Sequence, residues 1–356
     1  MSQTTVLEGK SYFNFINSLK SEFTKKNYQC ALSRFLNHYN TTTEALANIS
    51  AKDIENLLID YIVRLKQNKK SASALSITIS SITHFCVMND IIIMTKKIAK
   101  FKGEHETERS NDRAYSHEEI LTLVNSAPLR LKTMFLIMAS TGIRIGALPI
   151  LKLSDLKKMK GLYQFTIYAN SPNQRYITYC TPECAKEGID QYLAYRKRFG
   201  EKLTPDSYLI RKDFDIHDIE QIRKKSEPIA YDTIKVIIRN QVIKTGIRSP
   251  FLVDSHKRHE VPMNHGFRKF FETRLIESGV NPMAVMRLAG HKSGLDYKSY
   301  FRPHEDFILS EYEKAIDALT IDPTKRMARR IQTLEVEKTQ FDRLSAQIAA
   351  LEAKIK

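Results

Sequence analysis

Three short stretches carry side chains whose types and spacing suit phosphoryl chemistry. "STGIRIGALPILKL" places Arg144 just after a glycine that ends an apolar run. "HGFRKFFETRL" holds His265 and Arg268 three positions apart, on one face of a helix. "LAGHKSGLDYKSYF" holds His291, Tyr297 and Tyr300. Arginine forks bind phosphate oxygens bidentately and keep their charge, so two of them can clamp a phosphodiester and stabilise the negative charge of a pentavalent transition state. A tyrosine hydroxyl, with an ordinary pKa near 10, becomes a usable nucleophile beside such charges and a histidine that takes its proton. Attack would leave a phosphotyrosine link that conserves the energy of the broken bond, so rejoining needs neither ATP nor metal. Each residue alone has a plainer reading: Arg144 as a helix C-terminal cation, His265 and Arg268 on a solvated face, His291 as a satisfied core histidine, and Tyr300 as one of 16 packing tyrosines.

Composition points the same way. Lysine and arginine total 56 against 40 acidic residues, a formal charge of +16. A surplus of that size implies a polyanionic partner, usually nucleic acid, over the alternative of a basic but unrelated soluble enzyme. With 42% hydrophobic residues the 356-residue chain can build more than one core. Its most apolar stretches, Ile91–Met94 and Met134–Ser140, are far too short to span a bilayer, and "MSQTTVLEGKSYF" lacks the basic start and apolar run of a signal peptide. Cys30 and Cys86 fall among apolar residues as expected core thiols, and Cys180 and Cys184 lack the partners of a zinc set. We therefore expect an intracellular, reduced protein that uses no metal or other cofactor.

The elements that must position these residues are mostly helical. Thr24 is expected to cap a helix with a buried stripe of Tyr28, Ala31, Leu32, Phe35, Leu36 and Tyr39. A second helix fits Ala51–Gln67 with Ile54, Leu57, Leu58, Tyr61, Ile62 and Leu65 inward, and a third fits the Ser-rich Ser71–Met88. Lys25, Lys26, Lys66, Lys69 and Lys70, near helix ends or on polar faces, are candidate phosphate contacts or plain solvated surface. The polar stretch Phe101–Ser116 reads as a linker that ends in a capping box, Ser116 with Glu119. Beyond it lie a buried helix over Leu129–Thr141, β-runs at Leu162–Ala169 and Arg175–Cys180, a helix near Glu183–Arg198, one or two helices in 199–260, and a polar loop reaching Asn264. At the end, Met327, Leu334, Phe341, Ile348 and Ile355 recur every seven residues. Leu344 and Leu351 fill two intervening positions, while Arg330 and Glu337 occupy the other two. This partial heptad predicts a self-association helix, against the alternative of one amphipathic helix laid on the body.

In order and local context these motifs resemble the tyrosine recombinase family, the phage-type integrases. The family's "TGxR", "HxxR" and "LGH" segments correspond here to Thr141–Arg144, His265–Arg268 and Leu288–His291, and its tyrosine nine residues after the last histidine to Tyr300 rather than Tyr297. The resemblance covers roughly residues 10 to 315. It implies a helical, SAM-like core-binding domain (1–102), a linker (103–115), an α+β catalytic domain with a small β-sheet (116–320), and a C-terminal helix without a family counterpart (321–356). Arg144 and Arg268 would hold the scissile phosphate, His265 and His291 would assist proton transfer and phosphate binding, and Tyr300 would attack. The family's general-acid lysine belongs in a β-hairpin whose turn here, "ANSPNQR", contains none; Arg175 is the nearest cation and Lys160 lies at the other end. Ala147 stands where the family often has an acid, and Pro149 is expected to kink the helix there. The implied activity is site-specific recombination of double-stranded DNA by a viral or mobile-element integrase, acting as a tetramer in the host cytoplasm or nucleoid. A catalytically inactive DNA-binding protein on the same fold is the alternative, and a type IB topoisomerase or relaxase a third reading.

Overall fold

The computed structural model describes residues 7–103, 112–223, 226–250, 259–291 and 303–355. The chain divides into two compact units, residues 1–110 and 111–356. Among the described residues it is mainly α-helical with one three-stranded sheet.

The first unit contains α1 (Lys10–Asn17), α2 (Glu22–Tyr39), α3 (Thr43–Ala47), α4 (Ala51–Gln67), α5 (Ala72–Met88) and α6 (Thr95–Lys102). Its core is the apolar stripe of α2 (Leu32, Phe35, Leu36) against Ile54, Leu58 and Ile62 of α4 and Leu75, Ile82 and Phe85 of α5. Serine caps start α2, α4 and α5, with Ser21, Ser50 and Ser71 accepting from backbone N–H groups three residues on. Thr24 is therefore not the cap: it is the third helical residue, and its N–H is the one that Ser21 receives. Packing holds the Ser-rich α5, where Ser81 is fully buried and donates to the Tyr28 carbonyl of α2 at 2.8 Å. Cys86 is buried, and desolvation pushes its thiol up to about 12. Cys30 is exposed, contrary to expectation, because it precedes the buried stripe of α2 by one position and so faces outward. Lys25 pairs with Glu22 at 2.8 Å, whereas Lys26 and, beyond the end of α4, Lys69 and Lys70 are exposed.

The second unit runs α7 (His117–Ser126), α8 (Leu129–Thr141), a 3-10 turn (Ile145–Ile150), β1 (Leu156–Lys158), β2 (Tyr163–Ile167) and β3 (Tyr176–Tyr179). A π-helical segment (Cys184–Asp190) then continues into α9 (Gln191–Arg198). Next come α10 (Ile219–Arg223), α11 (Tyr231–Lys244), α12 (His265–Glu277), α13 (Pro282–Leu288), α14 (Glu305–Glu313), α15 (Ile316–Leu319) and α16 (Pro323–Ile355). The sheet is antiparallel in the order β1-β2-β3, with Ile167 opposite Tyr176. Helix α8, buried along nearly its whole length, is the centre of this unit, with α7 and α12 packed on it.

Helix α7 opens with the capping box of Ser116 and Glu119. The residues just before it do not behave as linker. Tyr115 is buried and donates to the Met263 carbonyl at 2.9 Å, Arg113 pairs with Glu119 and Glu260, and Asp112 accepts from Lys269. Their polar character reflects ion pairing at the surface of the second unit. Pro149 does not kink an α-helix: it sits in the six-residue 3-10 turn. Buried Glu183 receives the N–H groups of Ile321 and Asp322 at 2.7 and 3.0 Å and so fixes the chain where it enters α16. No helix among the described residues is long and apolar enough to cross a membrane.

Candidate active site

The site is built where the ends of α8 and α13 meet α12. Helix α8 ends on Gly142, which has φ of 59°. A Cβ there would lie 2.2 Å from the Phe271 ring of α12, so glycine serves both the left-handed cap and the close packing of two helices. The chain then passes buried Ile143 and presents Arg144 in extended conformation, exposed, with Nη2 donating to the Gly290 carbonyl at 3.2 Å. Helix α13 ends in the same way. Gly290 has φ of 62°, and its Cβ would lie 2.4 Å from the Tyr176 ring of β3. The His291 N–H donates back to the Met286 carbonyl at 2.9 Å, and this turn sets the histidine against α12.

Arg268 is the deepest member, 7% exposed. Its Nη1 donates to the Gly142 carbonyl at 2.9 Å and its Nη2 to the Ala289 carbonyl at 2.5 Å, so one guanidinium ties both helix ends to α12. Carbonyls at helix C-termini carry partial negative charge and suit a buried cation. Its Nε pairs with Glu272 Oε1 at 2.9 Å, one turn along the same helix. The same oxygen lies 2.8 Å from His291 Nε2. Arg268 Nη2 approaches that nitrogen to 3.3 Å. A guanidinium only donates and a carboxylate only accepts, so Nε2 can make one of these two hydrogen bonds, and the Glu272 contact is the shorter.

Two tyrosines flank the arginines. Burial raises the hydroxyl pKa of Tyr176 to about 12, while the positive charges of Arg268 and Arg144 pull the other way. Its oxygen is buried beside the Arg268 guanidinium. Burial likewise raises Tyr168, against the same two charges. Tyr168 opens the β2–β3 turn with φ of 53°, a left-handed conformation that a non-glycine residue rarely adopts.

The structure thus brings together Arg144, Arg268 and His291. His265 is the exposed first residue of α12, one turn before Arg268. Arg175 immediately precedes Tyr176 and lies at the end of the hairpin that touches Gly290. Lys160 lies in the β1–β2 turn at the opposite end, about 13 Å away by the rise of β2 alone. Both side chains are exposed. Tyr297 and Tyr300 lie outside the described residues. Sequence reasoning missed Glu272, Tyr168 and Tyr176. Glu272 was findable, because it stands four after Arg268 on a helix; the tyrosines carried no distinguishing signal.

The phage integrase family model matches residues 113–305, more than half of the chain, and the chain belongs to that family. Its fold and family are those of tyrosine-type site-specific DNA recombinases. The tyrosine recombinase XerC of Staphylococcus epidermidis is 24% identical over 285 residues, which span 76% of this chain and 83% of that protein. The tyrosine recombinase XerA of Pyrococcus furiosus is 24% identical over 242 residues, 64% of this chain and 73% of the other. Among solved structures, the XerH site-specific recombinase bound to palindromic difH substrate, a post-cleavage complex, superposes with a TM-score of 0.54. It is 14% identical and covers 82% of this chain and 85% of that one. A lambda integrase tetramer bound to a Holliday junction gives a TM-score of 0.52 at 16% identity, covering 85% and 81%. These likenesses establish the fold.

Proposed function

We propose that the protein is an active site-specific recombinase or integrase that cuts and rejoins double-stranded DNA through a 3′-phosphotyrosine intermediate. The observation that carries this reading is the convergence of Arg144, Arg268 and His291 on the paired helix ends at Gly142 and Gly290. Arg144, tied by one hydrogen bond and exposed, faces the phosphate, while Arg268 supplies fixed charge from below. The Tyr300 oxygen bonds to phosphorus as the bond from phosphorus to the 5′-oxygen breaks. A histidine, His291 or His265, takes the tyrosine proton, and a proton delivered to the departing 5′-oxygen completes the balance. Arg175, at the site end of the hairpin, is the better-placed cation near that oxygen, although arginine is a poor proton donor. Rejoining reverses these steps, and the reaction calls for no ATP or metal.

A charge of +16 suits a polyanionic duplex. In the first unit Lys25, Lys26, Lys69 and Lys70 contact phosphates. The protein works inside the cell on attachment sites of a mobile or viral element. Four copies synapse two sites, and α16 contributes to their association.

A nicked suicide substrate tests the chemistry. The wild type is expected to give a covalent adduct on a denaturing gel and Tyr300→Phe none. No wild-type adduct with the native attachment site would leave the inactive DNA-binding protein as the correct reading, and adduct that survives in Tyr300→Phe but not in Tyr297→Phe would move the nucleophile. A bridging 5′-phosphorothiolate, whose leaving group needs no proton, should rescue Arg175→Ala if Arg175 assists the 5′-oxygen, and Lys160→Ala if that lysine does.

A further inference from the structure

Glu272 is not required by any step above, yet it touches two of the residues that are. Its Oε1 receives Arg268 Nε at 2.9 Å and His291 Nε2 at 2.8 Å. It is only partly exposed, with 27% of its side chain open. Spacing of four residues on α12 fixes it beside Arg268, and the cap at Gly290 brings the imidazole to it. Ala147, fully buried in the 3-10 turn after Arg144, provides no carboxylate on the other side.

We propose that Glu272 is a positioning residue that sets the tautomer of His291. This rests on the recombinase reading given above. A carboxylate cannot donate, so it holds the imidazole hydrogen on Nε2 and leaves the Nδ1 lone pair as the acceptor. When the attacking hydroxyl gives its proton to Nδ1, the resulting imidazolium is stabilised by the carboxylate already bonded to Nε2. The same oxygen balances part of the buried Arg268 charge, so one carboxylate aligns the base and the phosphate clamp together. Glu272 takes the Nε edge of Arg268, and the backbone carbonyls of Gly142 and Ala289 take Nη1 and Nη2.

Two measurements test this. The imidazole 15N shifts of His291, assigned with His291→Gln, read the tautomer without any requirement for catalysis. Hydrogen on Nε2 is expected in the wild type, with loss of that preference in Glu272→Gln, whose amide can present either a donor or an acceptor. Hydrogen on Nδ1 in the wild type would overturn the proposal even if cleavage proceeds normally. In single-turnover cleavage of the suicide substrate, Glu272→Gln should be slower by at least ~10-fold, with DNA affinity unchanged within ~3-fold and Glu272→Asp intermediate. A Glu272→Gln rate equal to or above the wild type, the second being the mark of an inhibitory carboxylate, would also overturn it. Failure of the wild type to form adduct would refute the recombinase chemistry itself, whereas the tautomer measurement isolates the role of Glu272.

Discussion

The catalytic unit and the helix that leaves it break the usual rule of polar outside and apolar inside in opposite directions. At the junction of α8, α12 and α13 an arginine is buried to 7% exposure. On α16, Phe341 and Leu344 stand 69% and 58% exposed. The buried charge is answered by two carbonyls and one carboxylate. The exposed apolar stripe has no such answer among the described residues. Ion pairs from Lys325 to Glu187 and from Arg329 to Asp317 hold only the first turns of α16 to the body, and the helix runs for 33 residues, about 50 Å. The contrast separates a buried charge that is paired among the described residues from an apolar stripe that stands exposed on them.

The largest effect should come from breaking the buried side of this contrast. Arg268→Met strips the Gly142 and Ala289 carbonyls of their donor and removes the arginine partner of the half-buried Glu272, and we expect a loss of about 3–5 kcal/mol in denaturant unfolding of the catalytic unit. The double variant Arg268→Met with Glu272→Gln should recover most of that stability and none of the cleavage, which would distinguish charge compensation from chemistry. Next comes Gly290→Ala, which adds a Cβ against the Tyr176 ring at a left-handed backbone position. A loss of about 2–3 kcal/mol is expected, seen as a lower melting temperature. Arg144→Ala is expected to lower the rate of adduct formation by at least ~100-fold, with unfolding stability unchanged within about 0.5 kcal/mol. An equal loss of stability would mean that the two arginines do not divide the labour in this way. The smallest effect on stability belongs to the exposed side. Phe341→Glu with Leu344→Glu should leave melting unchanged within about 0.5 kcal/mol and shift sedimentation towards the monomer. An unchanged mass distribution would show that the stripe does not join copies.

Legibility in the sequence followed the range of the interactions. Helices α4 and α8 were readable to the residue because their apolar periodicity, the serine cap at Ser50 and the glycine stop at Gly142 are all local. Strand β1 was missed: at three residues, Leu156–Lys158, it is too short to show alternation. Tyr115 was assigned to a linker because its neighbours are polar, yet those neighbours pair with Glu119, Glu260 and Lys269, the last two far away in sequence. Capping was legible as a motif at Ser116 and misplaced at Thr24, where the choice between two hydroxyls depends on which residue takes the extended backbone.

For the site, spacing and residue chemistry singled out Arg144, His265, Arg268 and His291 as candidates in three short motifs, and the resemblance to the family assigned their roles. How the two arginines differ was decided by tertiary structure. Both are guanidiniums after similar local signals, but only the meeting of two helix C-termini over α12 buries one and leaves the other exposed. The partnership of Glu272 with His291 has the same origin: a carboxylate selects a tautomer only when the fold brings an imidazole 19 residues away to within 2.8 Å of it.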